Sequence, residues 1–210
     1  ISHMSIYRYI WRDKRQGGTL WQCLRRKGKP YRKRLTAETR GRINDRVSIH
    51  ERPCIVEERS RIGDWEADTV IGQHHKQAIV TLVERKTGLL KMKRVGHKTA
   101  QQVSEAMIEL LKPVRLQVKT ITSDNGKEFA QHKKVKQKLF SPFFFADAYA
   151  SWQRGTNENT NGLIREYLPK GCDFRQVSDD EMQDIENKLN NRPRKRLGFK
   201  TPMQAFYNIN

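Results

Sequence analysis

The sequence predicts an α/β fold in which a five-stranded sheet is flanked by helices and preceded by a basic helical arm. Three observations predict it. Three short β-prone runs follow one another between residues 68 and 95, and a capped amphipathic helix comes next. Two further β-prone runs and two long amphipathic helices then complete the chain. A chain of 210 residues with 36% apolar content supplies one core, so a single globular domain with a basic extension is the economical organisation.

At the N-terminus, Ser5 is placed to cap a short helix over residues 5–12, with apolar residues at i and i+4 and with Arg8 and Arg12 on one side. Gly17-Gly18 breaks it, and Leu20 and Leu24 suggest one more helical turn. The run Arg25, Arg26, Lys27, Gly28, Lys29, Pro30, Tyr31, Arg32, Lys33, Arg34 opens a basic linker expected over residues 26–60. Residues 1–60 hold 16 basic and 6 acidic side chains, so the electrostatic bias of a chain with net charge +19 is concentrated there. A solvated arm and a phosphate-binding arm both fit that composition.

From Ile62 the texture becomes β. Residues 68–71, 78–83 and 89–95 are separated by the turn signals Gly72-Gln73-His74-His75-Lys76 and Lys86-Thr87-Gly88, which reads as an antiparallel meander. Thr99-Ala100-Gln101-Gln102 resembles a capping box for a helix that buries Val103, Met107, Leu110 and Leu111 and closes near Pro113. Residues 118–122 form a fourth strand delivering Asp124 at its end, and residues 142–146 a fifth. In the helix between Thr156 and Leu168, Glu158, Asn161 and Arg165 fall within about 60° of one another at ~100° per residue, opposite Leu163, Ile164, Tyr167 and Leu168. Ser178-Asp179-Asp180-Glu181 is a second capping box, followed by the buried stripe Met182, Ile185 and Leu189 and by a basic loop from Arg192 to Lys200.

Asp68, Asp124 and Glu158 carry the chemistry. Taken singly, each has a bland reading: a strand-end surface acid, a cap for the Asn125-Gly126 turn, and a first-turn acid favoured by the helix dipole. Together they are three hard oxygen donors on a chain with 42 Lys+Arg against 23 Asp+Glu, which suggests Mg²⁺-dependent chemistry on a polyanion, and DNA is the obvious polyanion. Three converging carboxylates repel, and divalent cations make the arrangement tolerable. Asp64 and Glu66 beside them are expected on the surface or in support of Asp68, and Glu166, out of phase with Glu158, is expected to be solvated.

These contexts resemble an insertion-sequence transposase of the IS-thirty type, within the acidic-triad transposases and retroviral integrases. The likeness also runs through Ile62-Gly63-Asp64-Trp65-Glu66, Trp152-Gln153-Arg154-Gly155-Thr156-Asn157-Glu158-Asn159, Arg192-Pro193-Arg194-Lys195-Arg196-Leu197-Gly198 and Thr201-Pro202. The resemblance implies a ribonuclease-H-like core with a mixed sheet over residues 61–210. It implies Asp68, Asp124 and Glu158 as catalytic metal ligands for two Mg²⁺ ions, with Mn²⁺ as a substitute. It further implies water cutting the transposon end and the resulting 3′-hydroxyl attacking target DNA. Double-stranded DNA, as transposon ends and target, and a homo-oligomer on DNA are the implied partners. Residues 1–25 correspond to the remnant of an N-terminal helix-turn-helix region, whose earlier helices are missing, so the chain is expected to be N-terminally truncated.

Arg154, Asn161, Arg165, Arg8, Arg12, Arg25, Arg26, Lys27, Arg32, Lys33 and Arg34 are the expected DNA contacts. Arg154 and Arg165 bracket Glu158 as in a signature around the third acid of several transposases, but its tyrosine is replaced by Ser151. Trp152 is left between stacking on a base or sugar and packing in the core. Competing readings are a DNA-binding protein that does not cut and a structure-selective nuclease on the same core.

Cys23, Cys54 and Cys172 form no close pair, and His50 with Cys54 lacks two further ligands, so no disulfide framework or zinc site is expected. There is no 18-residue apolar run and no signal segment, which excludes membrane and secretory readings and favours a reduced, bacterial cytoplasmic compartment.

Overall fold

Strand alternation with both faces covered decides the architecture. In the computed structural model, which describes residues 1–24, 43–73 and 77–209, β1 (Asp64–Ile71), β2 (Ala78–Glu84) and β3 (Leu90–Val95) form the antiparallel meander. β4 (Thr120–Ser123) and β5 (Phe143–Phe145) extend it in parallel from the other side of β1, giving the order β3-β2-β1-β4-β5. This is the expected five-stranded mixed sheet. Trp65 and Ala67 of β1, Ala78, Val80 and Leu82 of β2 and Ile121 of β4 enter one core, whereas Val70, Ile79, Val83, Leu90 and Met92 enter a second on the opposite face.

The helices divide between these faces. α1 (His3–Arg15) and the short α2 (Ile55–Glu58) precede α3 (Ala100–Leu111), whose Val103, Met107 and Leu111 are buried in the first core. Thr99 accepts the Gln102 backbone N–H, but Gln102 turns its side chain to the His97 backbone N–H, so the box is only half formed. α4 (His132–Leu139) adds Val135 and Leu139 to that core. On the other face α5 (Gly155–Tyr167) supplies Ile164, and α6 (Asp179–Asn190) supplies Met182, Ile185 and Leu189 behind the complete Ser178–Glu181 capping box. α7 (Pro202–Tyr207), with a Thr201–Gln204 box and Pro202 in its first turn, returns Phe206 to Trp65.

Contacts separate residues 1–41 from residues 42–210 as two compact units. In the first, α1 is longer than expected because Ser2 caps it, accepting from the Ser5 backbone N–H, and Gly17 ends it at φ 84°. Leu20–Cys23 form the expected turn. No residue of α1 is buried, and Arg8 and Arg12 are exposed.

The expectation of a linker to residue 60 is corrected. Residues 43–60 belong to the second unit: Ile43 joins the first core, Ile49 and Val56 are buried, Ser48 bridges to Phe145, and the Phe145 N–H donates to the Val47 carbonyl at 2.9 Å. Their burial offsets the entropy of ordering an otherwise charged segment. Arg25, Arg26, Lys27, Arg32, Lys33 and Arg34 lie outside the described residues. Among those described, no helix is long and apolar enough to cross a membrane.

Candidate active site at the ends of two parallel strands

Register brings the first two acids together. β1 and β4 run parallel with Glu66 opposite Thr122, and two residues further along each strand stand Asp68 and Asp124. Residues at matching positions of parallel strands project to the same face, so both carboxylates, Asp68 within β1 and Asp124 one residue past the end of β4, face α5. Between them lies Arg154, at the N-cap of α5: its Nη1 is 3.3 Å from Asp68 Oδ2 and its Nη2 3.5 Å from Asp124 Oδ2.

Each aspartate is held on its other side as well. Asp68 Oδ1 accepts the Thr69 backbone N–H at 2.8 Å, and Oδ2 accepts from Asn161 Nδ2 at 3.1 Å. Asp124 Oδ1 accepts the Gly126 N–H at 2.9 Å, so it does cap its turn while Oδ2 faces the guanidinium. Burial pushes the Asp68 carboxyl above the usual range and the charge of Asp124 adds to this, against the pull of Arg154 and the Thr69 N–H.

Glu158 stands apart. It is exposed on α5, with no hydrogen bond or ion pair among the described residues, and these contain no cluster of three His, Cys, Asp or Glu side chains that could hold a metal. Arg154 offsets only part of the charge of the aspartate pair, and two carboxylates repel a third anion rather than draw it in. Glu158 nevertheless shares a flank of α5 with Asn161, three residues on, which touches Asp68.

The residues at α5 expected to contact DNA have internal partners. Asn161 bonds Asp68 and accepts from Thr81 Oγ1. Arg165 donates to the carbonyls of Ile71 at 2.7 Å, Leu168 at 3.2 Å and Pro169 at 3.3 Å, tying the end of β1 to the end of α5. Arg154 faces the acids, with its side chain 12% exposed. Trp152 is 75% exposed, which removes the core alternative. Glu166 is half-exposed and pairs with Arg192.

Asp64 and Glu66, expected on the surface or beside the site, are fully inside. Asp64 takes Arg61 in a two-pronged bond and the Thr120 hydroxyl at 2.7 Å. Glu66 accepts Arg85 Nη1 at 2.6 Å with one oxygen and the Asn157 backbone N–H at 2.8 Å with the other, placing a carboxylate on the open N-terminus of α5. Arg85 also meets Glu57 at 3.0 Å and the Val56 carbonyl at 3.2 Å. Arg52 bonds Glu57 and the Thr122 hydroxyl, and burial beside Arg85 pushes its guanidinium down to about 10. A chain of paired charges, buried except at Glu57, thus runs from residues 52–57 through the sheet to the helix carrying Glu158. Its one signal in the sequence was an acid between Trp65 and Ala67: a charge flanked by buried positions in a strand needs a buried partner.

No family model matches the sequence. The chain is 51% identical over its full 210 residues to the transposase for insertion sequence element IS4351 of Bacteroides fragilis, spanning 64% of that protein. It is 40% identical over 169 residues, 79% of its length, to transposase InsI for IS30A of Escherichia coli K12, spanning 44% of that protein. The chain therefore covers less than two thirds of these relatives. Among solved structures, the catalytic core domain of BIV integrase superposes with a TM-score of 0.54 at 21% identity, over 69% of this chain and 93% of the other. The chain is thus a homologue of the insertion-sequence transposases, the IS30 type among them, and it has the ribonuclease-H-like fold of integrase catalytic cores.

Proposed function

We propose that this chain is the catalytic part of an insertion-sequence transposase that cuts and rejoins double-stranded DNA at Asp68, Asp124 and Glu158. The observation that carries the reading is the single guanidinium shared by the two aspartates, which marks a spot where the fold gathers negative charge and needs positive charge. The donors fit a divalent cation: hard oxygens from two neighbouring strands, with a free third carboxylate on the adjacent helix flank. When bound, two Mg²⁺ ions, or Mn²⁺ in their place, activate the attacking oxygen and stabilise the leaving one in an in-line displacement at phosphorus.

The chain's own groups prepare that reaction. Thr69 and Asn161 fix the two oxygens of Asp68, the Gly126 N–H fixes Asp124, and Arg154 supplies the counter-charge when no ion does. Glu66 and Arg165 anchor the two ends of α5 to β1, which sets where Glu158 stands. Arg8, Arg12 and the basic run 25–34 supply charge for DNA backbone, in a homo-oligomer assembled on DNA in the bacterial cytoplasm. A second reading, DNA binding without cleavage, draws support from Arg154 closing both aspartates.

A nicking assay on supercoiled DNA of arbitrary sequence separates the two. Wild type should nick in Mg²⁺, and Asp124→Asn should lose nicking while binding DNA as well or better, since removing a negative charge cannot weaken attraction to phosphate. Nicking that persists in Asp124→Asn would put the metal site elsewhere. A wild type that binds without nicking would leave the second reading standing.

A further inference from the structure

On the flank of α5 opposite Glu158, Asn161 and Arg165, about half a turn away on the helical wheel, lies a cleft of about 550 Å³ lined by Arg59, Arg194, Lys195 and Arg196 together with Gly155 and Thr156. No acidic side chain is among its lining residues. The cleft is built rather than incidental. Arg196 Nη1 donates to the Lys86 carbonyl at 2.6 Å, and its other terminal nitrogen lies where a Cβ on Gly88 would stand, 2.5 Å away. The loop carrying the cations is closed by the Arg194 N–H on the Lys200 carbonyl and the Phe199 N–H on the Arg194 carbonyl, both 3.0 Å. Thr156, buried in the wall, keeps a hydroxyl with no partner among the described residues, while a Cβ on Gly155 would meet open space.

Holding these cations together costs free energy. Partial desolvation and the charges of Arg192 and Arg196 lower the Arg194 guanidinium, and partial desolvation and Arg59 lower that of Arg196. Glu166 acts on Arg194 and Glu84 on Arg196 in the opposite sense, but neither acid lines the cleft, so an external anion relieves the repulsion there, and a phosphate's paired oxygens match the forked guanidinium groups. We propose that this cleft binds the phosphodiester backbone of duplex DNA, on the side of α5 turned away from the aspartate pair. The proposal rests on the reading of the chain as a DNA-acting protein, and it adds a contact surface outside the acid site.

Arg59 and Lys195 have no side-chain partner among the described residues, so their charge can be removed without breaking an internal bond. In the double variant Arg59→Gln/Lys195→Gln, measured by fluorescence anisotropy on a random-sequence duplex across a salt series, the slope of log affinity against log salt should become shallower by roughly 2, about 0.9 for each phosphate released. The control Lys136→Gln/Lys138→Gln removes the same charge from α4, outside the cleft, and should change the slope by less than half as much. Melting temperatures of both variants should equal wild type. An unchanged slope in the cleft variant, or an equal change in both variants, would overturn the proposal. A wild type with no duplex affinity at any salt would overturn the DNA reading and the cleft with it.

Discussion

Replacing Glu66 by Gln tests whether the buried charges hold α5 in place. The carboxylate is fully buried, its Arg85 partner is 3% exposed, and the two meet at 2.6 Å. Removing one member of such a pair typically costs 3–5 kcal/mol because the other is left charged without water. Here Arg85 keeps Glu57 at 3.0 Å, but that side chain is 63% exposed and gives weaker compensation. The expected loss is therefore near the bottom of the range, about 3 kcal/mol. For a unit of this size that lowers Tm by roughly 6–12 °C. Gln also presents an amide N–H₂ to one of two donors, the Arg85 guanidinium or the Asn157 N–H, so the N-terminus of α5 loosens and nicking should fall with stability. Urea denaturation gives the loss for Glu66→Gln, and Glu66→Met, Arg85→Met and their double variant close a cycle in which the double should be less destabilised than the sum of its singles by about 2 kcal/mol. A loss for Glu66→Gln under about 1 kcal/mol, or strict additivity, would show that the pair does not anchor the helix.

What local pattern dictates was legible, and what distant partners dictate was not. β2 and β3 declare themselves by β-branched and apolar runs between turn signals, and α6 by its box and its 182-185-189 stripe. β1 begins at Asp64, four residues before the apolar run that announces it, because two acids interrupt its apolar pattern in the sequence. Asp64 is neutralised locally by Arg61 and takes a further bond from the Thr120 hydroxyl 56 residues away, whereas the partner of Glu66, Arg85, lies 19 residues off, beyond any local window. Residues 43–60 hid Ile43, Ile49 and Val56 among charges, spaced without a helical or strand period. α4 and α7 are short, and their few apolar residues make no sustained stripe. The helical wheel set Glu158, Asn161 and Arg165 on one flank, as the residue spacing requires, but a wheel cannot say what a side chain reaches. Asn161 reaches Asp68 and Arg165 reaches three carbonyls, internal contacts that residue type and spacing alone do not disclose.

Two further outcomes follow from the same contacts. Asp68 has its pKa raised mainly by burial, so the native state holds its proton more tightly than the unfolded chain; that contribution is full at acid pH and is lost as pH rises through the raised value. Asp68→Asn should accordingly raise Tm at pH 7, converge with wild type near pH 3, and lose the stabilisation that Mg²⁺ gives wild type; calorimetry showing Asp68→Asn less stable at pH 7 would contradict this. Truncation tests where the core begins. Deleting residues 1–42 removes 13 basic and 2 acidic side chains but none of the buried residues among those described, which start with Ile43. The remainder should melt cooperatively and bind duplex DNA with a shallower salt dependence, because fewer counterions are released. Deleting residues 1–60 also strips Ile43, Ile49 and Val56 from their contacts, worth about 1.5–3 kcal/mol each, and removes the Arg52 bond to Thr122. That sum, about 5–9 kcal/mol before the buried arginine is counted, matches the entire stability of an ordinary domain, so the shorter fragment should show no cooperative transition. A fragment 61–210 that melts like 43–210 would mean residues 43–60 lie on the core without supporting it.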